Sequence, residues 1–559
     1  MAAEDQPAVA EEAAEDNLIS FLIYSTKLKL SKYMKKYIFL LALGLTASVA
    51  RSQEIADAVR YSQDNLNGTA RFRAMSGAFG ALGGDLSSIN VNPAGSAIFL
   101  NNQMAITLSN NSTKNNSDYF GNLTSEKTNS FDLNQAGAIF VFNNRNTNSN
   151  WKKVSMGINY ENTNNFDNGL FSAGTNPNNS VANYFLSYAN NGNNGAPVPQ
   201  QFVNREPGES ISDLYSFLGS NLPNSQFPRL SGFDAQQAFL GYQAFVIDAV
   251  DENNNNSAYT SNTPSGGNYY QENSVYSTGY NGKLSFNAAT SYKDKLYIGL
   301  NLNSHFTDYQ KSSNFYEDNN APLTNNYTVS RLQFNNDLNT YGTGFSFQVG
   351  AIAKLTNEVR LGLAYESSTW YKLTDELSQS LVAVSANTDG ELPSDVVDPQ
   401  VVNIYEAYKL QTPSKLTGSF AYVFGKSGLI SVDYAIKDYS NTKFKPENDS
   451  YFNDLNSDIN SILDTTGELR IGAEYKIEAL SLRAGYRYEQ SPYKNSVTIG
   501  DLTGYSAGLG YSFGSTKVDL AYSYAKRNSQ QGFFNRGFTD GASIDAINNT
   551  VSLSLLFEL

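Results

Sequence analysis

At 559 residues, with a formal net charge of −14, no cysteine and a single histidine, the chain leaves little room for several kinds of chemistry. Its acidic balance offers no basic groove for nucleic acid, the lack of cysteine removes disulfides and thiol catalysis, and His305 alone builds neither a metal nor a haem centre, so no cofactor is implied. Charged residues are only 16% while 37 Tyr and 33 Phe lift the aromatic share to 13%, a composition of strand and turn formers rather than helix formers.

Residues 1–33 fit no targeting pattern and read as a non-native or mis-assigned N-terminal extension. From Met34, two lysines, an apolar run Ile38 to Leu45 and then small residues form a signal peptide over 34–52. Cleavage is expected after Ser52, with Ala50-Arg51 as the weaker option. No segment supplies the ~18 consecutive apolar residues of a membrane helix. The next segment, 53–102, contains the glycine-rich stretch Met75 to Phe99, whose single charge is Asp85. Gly77, Gly80 and Gly83 have neither dinucleotide-loop spacing nor a Gly-Lys-Ser/Thr ending.

Alternation of apolar and polar residues then predicts fourteen strands, near 103–110, 132–143, 154–164, 270–291, 295–310, 338–354, 358–375, 407–424, 428–440, 466–476, 480–490, 502–513, 516–529 and 548–559. The last shows the rule: Val551, Leu553, Leu555, Phe557 and Leu559 alternate with small or polar residues for most of its length. Connections after even-numbered strands are mostly tight, such as Lys293-Asp294. Those after odd-numbered strands are long and polar, at 111–131, 165–269, 311–337, 376–406, 441–465, 491–501 and 530–547. An even number of strands with short turns at one end and long loops at the other specifies an outer-membrane barrel. The fold class expected is therefore all-β: a transmembrane 14-stranded antiparallel β-barrel over 103–559; a small N-terminal hatch, 53–102, inside its lumen is what the family resemblance given below implies. A soluble sandwich has shorter strands, ~5–6 residues, and does not separate its connections in this way.

Facing the lumen by this alternation are Arg360, Glu366, Asp433, Lys437, Arg470, Glu474, Arg483 and Arg487, either a salt-bridge ladder that holds wall and contents in register or a polar gate. His305 shares the lumen face of its strand. Tyr365, Tyr422, Tyr434, Tyr486, Tyr488, Tyr522 and Tyr524 are expected on the lipid face near the long-loop ends, as an interfacial belt. Within the extracellular loop 165–269, Ile211, Leu214, Tyr215 and Leu218 share one helical face behind a Ser210/Asp213 capping box. A second apolar helix over 234–248 carries Phe239, Tyr242 and Val246. These residues either pack on one another or form a capture groove. No catalytic constellation is present, and the chain is not read as an enzyme.

The run Ala78-Phe79-Gly80-Ala81-Leu82-Gly83-Gly84-Asp85, followed by Asn92-Pro93-Ala94, resembles the FadL family of outer-membrane transporters for long-chain fatty acids and other hydrophobic compounds, in its Bacteroidetes-like branch. The resemblance implies that Gly77, Gly80, Gly83, Gly84, Asp85, Asn92, Pro93 and Ala94 form a hatch plugging the lumen. It also implies that the mature N-terminus, Gln53-Glu54-Ile55, reaches into a ligand pocket for which Phe79 and Phe99 are further candidates. Hydrophobic ligand, fatty acid above all, would be caught by loops, bound in the lumen and released sideways into the membrane. The same resemblance implies outer-membrane lipids and lipopolysaccharide as surroundings and the barrel-assembly machinery as a partner. Alternatives are a PorV-like barrel of this family serving protein secretion or surface attachment, and a closed structural or adhesive barrel. Detergent-extracted protein is expected to migrate faster on gels before boiling than after; identical mobility would count against a barrel.

Overall fold

The computed structural model describes residues 53–146, 148–251, 258–319 and 323–559; the extension expected over 1–33 and the signal peptide expected over 34–52 lie outside the described residues. Each alternating segment forms a strand, and hydrogen bonds join the strands in chain order. They are β1 (Gln103–Tyr119), β2 (Asn122–Asn143), β3 (Trp151–Asn165, continued by Asn168–Asn176), β4 (Tyr269–Tyr292), β5 (Leu296–Asn319), β6 (Thr328–Lys354) and β7 (Val359–Glu366, continued by Trp370–Asn387). There follow β8 (Tyr408–Gln411, continued by Lys415–Phe424), β9 (Gly428–Asp438, continued by Lys443–Lys445), β10 (Thr465–Ile477), β11 (Leu480–Glu489), β12 (Ile499–Ser512), β13 (Thr516–Gly532) and β14 (Gly541–Glu558). Antiparallel pairing of β1 with β14, from Gln103↔Glu558 to Asp118↔Ser543, closes the sheet into a barrel, so that neither the first nor the last strand is left as a free edge in hydrocarbon.

Apolar residues such as Met104, Ile106, Leu553 and Leu555 point outward and are exposed. Their polar alternates turn inward and satisfy one another: Thr107 and Ser554 hydroxyls lie 2.6 Å apart, those of Ser109 and Ser552 2.7 Å. The expected loop 111–131 is strand instead. β1 and β2 continue to a two-residue turn, Phe120-Gly121, with both residues at positive φ, the geometry that matches strand twist. Its Asn, Ser and Thr residues sit above the apolar band, where the outer face meets water and the inner face meets the polar continuation of β3, so both faces are polar and alternation vanishes without loss of the ladder. For the same reason β3 resumes at Asn168–Asn176 inside the expected loop 165–269. Tyr365, Tyr434 and Tyr522 face outward as expected, but Tyr422 lies near the tight turn Gly425–Ser427 and not the long-loop end, because β8 descends from the loop side.

The described remainder of the 165–269 segment folds as a cap: helices Ala182–Asn191, Ile211–Asn221 and Gly232–Gln243, with a small hairpin of Ile247–Ala249 and Tyr259–Ser261. Inside the barrel the hatch threads from the cap side to the periplasmic side through two short helices, Ile55–Arg60 and Ala70–Ala74, and two 3-10 turns, Leu86–Asn90 and Pro93–Ile98. Asn92 anchors its lower end. The side-chain carbonyl accepts from Ala94 N–H at 3.1 Å, while the amide donates to the Gly80 carbonyl at 2.8 Å and the β6 Ala351 carbonyl at 3.0 Å. Asn92→Ala is therefore expected to loosen the hatch by about 1–3 kcal/mol and to raise single-channel conductance in planar bilayers while the barrel stays heat-modifiable; unchanged conductance would remove the plugging role of this anchor.

Candidate functional site

Close fit between hatch and wall is made by lumen-facing glycines. Gly299 of β5 and Gly350 of β6 are cross-strand partners, and a Cβ on them would come within 2.3 Å of the Pro93 carbonyl carbon and 2.1 Å of the Asn92 side-chain oxygen. Gly472 and Gly485, paired on β10 and β11, make the same room for Met75, where an added Cβ would lie 2.7 and 2.5 Å from its backbone. In the hatch itself, Gly77, Gly83 and Gly84 adopt positive φ, conformations that side chains resist.

The predicted lumen charges all face inward and most meet the hatch. Glu474, whose side chain is fully buried, takes Arg71 of the hatch at 2.8 Å and Arg483 at 2.7 Å; Arg483 continues to Asp519 at 2.6 Å. Asp433 accepts the backbone N–H groups of Phe79 and Gly80, both at 2.9 Å. Arg360 donates to the Leu82 carbonyl at 3.0 Å, Arg487 to the Asp64 carbonyl at 3.2 Å, and Lys437 to the Ser62 carbonyl. Glu366 faces Lys415 at 3.4 Å, and Lys415 reaches Asp64 at 2.9 Å. Arg470 pairs with Glu468. Burial pushes the Asp85 carboxyl above its ordinary value, against the Arg71 guanidinium and hydrogen bonds from Thr69 and Ser87. Asp85 thereby closes the Leu86–Asn90 turn as its N-cap.

Residues Gln53 to Ile55 sit high in the lumen. Gln53 donates to Asp375 of β7 at 2.7 Å, Glu54 accepts from Asn535 at 2.7 Å, and Ile55 packs beside an aromatic cluster that includes Val59, Tyr61, Phe166, Tyr309, Tyr371 and Tyr408. Arg60 stacks on Tyr309, 4.1 Å from the ring centre. Phe79 packs lower, with Phe72 and Met75, and Phe99 lower still, with Leu86 and Ile139; the structure does not bring these two to the N-terminal residues. A cavity of about 440 Å³ separates the hatch around Arg60, Asn67 and Arg73 from the wall at β12–β14 and extends to Asn165 and Phe166. His305 is buried in the lumen, its Nε2 2.8 Å from the Ser346 hydroxyl.

Beside that cavity the wall changes character. β2 pairs with β3 from Asn143↔Lys153 only as far as Gln135↔Glu161. Beyond it β3 bends inward at Phe166-Asp167 and lies on the inner face of β1, where Asn115 donates to the Gly169 carbonyl at 2.7 Å and the Ser117 and Ser172 hydroxyls meet at 2.6 Å. Side chains alone bridge the resulting break: Asn165 donates to Ser130 at 3.0 Å and to Asp132, and Thr124 to the Phe171 carbonyl at 2.6 Å. Phe131 and Leu133 of β2 stay exposed along its rim.

In the cap, Leu214, Tyr215, Leu218, Phe239 and Val246 are buried in one apolar core, with Ile211 and Tyr242 packed against it. Strand residues Phe315, Phe334 and Leu381 and loop residue Phe538 complete that core. Neither the bend of β3 nor Arg71 was singled out from sequence; glycines at lumen-facing positions of neighbouring strands were the legible sign of a fitted plug.

Residues 244–546 match a family described as outer membrane protein transport protein (OMPP1/FadL/TodX). Over 191 residues the chain is 28% identical to outer membrane protein P1 of Haemophilus influenzae, covering 33% of this chain and only 38% of that protein. The crystal structure of a Pseudomonas aeruginosa FadL homologue superposes with a TM-score of 0.51 at 14% identity, covering 89% of this chain and 99% of the other. The Pseudomonas putida toluene transporter TodX gives 0.45 at 14% identity, with coverage of 89% and 99%. At such identities the likeness concerns the fold.

Removing the carboxylate that serves both Arg71 and Arg483 leaves two enclosed guanidinium groups short of a partner, so Glu474→Ala is expected to lower stability by about 3–5 kcal/mol. Urea unfolding in lipid vesicles measures this, and a change below 1 kcal/mol on the scale of exposed pairs would show the ladder to be idle.

Proposed function

The chain belongs to the OMPP1/FadL/TodX family of outer membrane transport proteins, and we propose that it carries hydrophobic small molecules, long-chain fatty acids first among them, from the cap into the lumen and out sideways into the membrane. The observation that supports this reading is the break between β2 and β3, where the ladder ends at Gln135↔Glu161 beside the 440 Å³ cavity. The hatch occupies the straight route to the periplasm. A lateral route suits the cargo, because each CH₂ kept out of water is worth ~0.8 kcal/mol, and a ligand leaving through the wall passes from one apolar surroundings to another. Gln53, Glu54 and Ile55, beside the aromatic cluster, are the pocket residues this reading assigns, and displacement of the Ile55–Arg60 helix would give the ligand its place.

The absence of native cysteine allows a direct test. Ser130→Cys with Asn165→Cys places a disulfide across the break, at a contact now spanned by a 3.0 Å hydrogen bond. Oxidation is expected to stop uptake of labelled palmitate by cells and reduction to restore it; undiminished uptake in verified cross-linked protein would overturn the lateral route. Burial of the cap residues Leu214, Tyr215 and Phe239 in their own core favours a second reading, in which the cap serves a secreted protein partner. Palmitate uptake that is the same in cells with and without this protein would favour it.

A further inference from the structure

Outward-facing lysines gather on three consecutive strands in a way that the lumen and hatch do not explain. Lys372 of β7 is the cross-strand partner of Lys409 of β8, and Lys409 is the partner of Lys445 of β9. The three thus lie in one row across the barrel surface. Their alternates, Tyr371, Leu410 and Phe444, are buried inward, which fixes the lysines on the outer face. Two pairs lower, on the same face, the row reads Phe345, Trp370, Gln411 and Lys443. There Trp370 stacks with Phe345 and Phe347, as aromatic side chains do at a membrane interface. The lysine row therefore stands just above the apolar band on the long-loop side, at the headgroups of the outer leaflet.

Like charges directly opposite one another on adjacent strands are destabilising, and the nearby protein carboxylates do not neutralise these. Lys372 and Lys409 have no ion pair among the described residues. Glu447 stands 3.8 Å from Lys443 and 3.7 Å from Lys445, both half-exposed. Glu376, farther up β7, accepts from Tyr341 and Asn339 instead. Of the four ammonium groups only those of Lys443 and Lys445 reach a carboxylate, and it is the same one, at a level where the solvent is neither water nor hydrocarbon but the phosphate layer of the membrane.

We infer that the Lys372–Lys409–Lys445 row, flanked by Lys443, is a docking site for lipopolysaccharide, with the lipid A phosphates bound by the ammonium groups and its acyl chains laid along Trp370, Phe345 and Leu416. Fixed position at the interface selects a lipid over a soluble anion, since the acyl chains add apolar burial that free phosphate lacks. The inference needs only the barrel's place in the outer membrane and is independent of what crosses the lumen.

The test uses the full mature protein in phosphatidylcholine vesicles doped with diphosphoryl lipid A or with enzymatically dephosphorylated lipid A, and reads the lipid retained after extraction by native mass spectrometry. The wild type is expected to prefer the diphosphoryl form by about five-fold per engaged lysine. K372Q/K409Q/K445Q should abolish the preference, and K372R/K409R/K445R should keep it, with heat-modifiable mobility reporting the fold of both. Equal retention of the two lipids by the wild type, or an undiminished preference in the glutamine variant, would overturn the proposal. Salt tests the same point without substitution: raising ionic strength to ~1 M, where screening acts within ~3 Å, should collapse the wild-type preference, and a salt-insensitive preference would also overturn it.

Discussion

Hydrocarbon offers the backbone no hydrogen-bond partner, and the rest of this structure answers to that fact. A sheet that crosses it has to close, as β1 does on β14, and a closed sheet of fourteen strands encloses more space than its own side chains fill. The hatch fills that space. Wall and hatch fit each other backbone to backbone, which is why glycines stand at lumen positions of neighbouring strands, Gly299 beside Gly350 and Gly472 beside Gly485.

Charge follows from the same closure. Ionisable groups facing midplane lipid cost ~2–4 kcal/mol, so Arg360, Asp433, Glu474 and Arg483 turn inward, and once inside they need partners. Hatch groups supply many of them: Arg71 for Glu474, the Phe79 and Gly80 N–H groups for Asp433, the Leu82 carbonyl for Arg360. A ladder of this kind ties the hatch from Arg71 to Leu82 to particular strands, so that part of the plug cannot move piecemeal. The upper hatch is held differently, by the Ile55–Arg60 helix among aromatic rings and by single contacts such as Gln53 to Asp375. Motion confined to that end would leave the lower anchor at Asn92 undisturbed.

Where the rule of a continuous ladder lapses, between β2 and β3, side chains of Asn165, Ser130, Asp132 and Thr124 replace backbone bonds. Such contacts can be exchanged without unfolding a strand. The cap above combines helices with strand extensions and the loop after β13, so its apolar core draws on segments far apart in sequence, from Phe185 to Phe538.

Sequence alone determined the number and order of strands and the side each faced, because the pleat imposes a period of two wherever one face meets lipid and the other does not; the hatch was expected only from the family resemblance of its glycine-rich run. It could not mark where β1 and β2 end, since above the apolar band Asn111 to Ser130 has water outside and the polar continuation of β3 inside, and so no apolar–polar period to show. Tyr422 was assigned to the wrong end because alternation gives the face of a residue and not its height. Tertiary structure alone decided which lumen charge meets which hatch group, that β3 leaves the ladder after Glu161, and that Lys372, Lys409 and Lys445 stand in one row. Each of these depends on register between strands, and register is set by the closed barrel as a whole rather than by any segment within it.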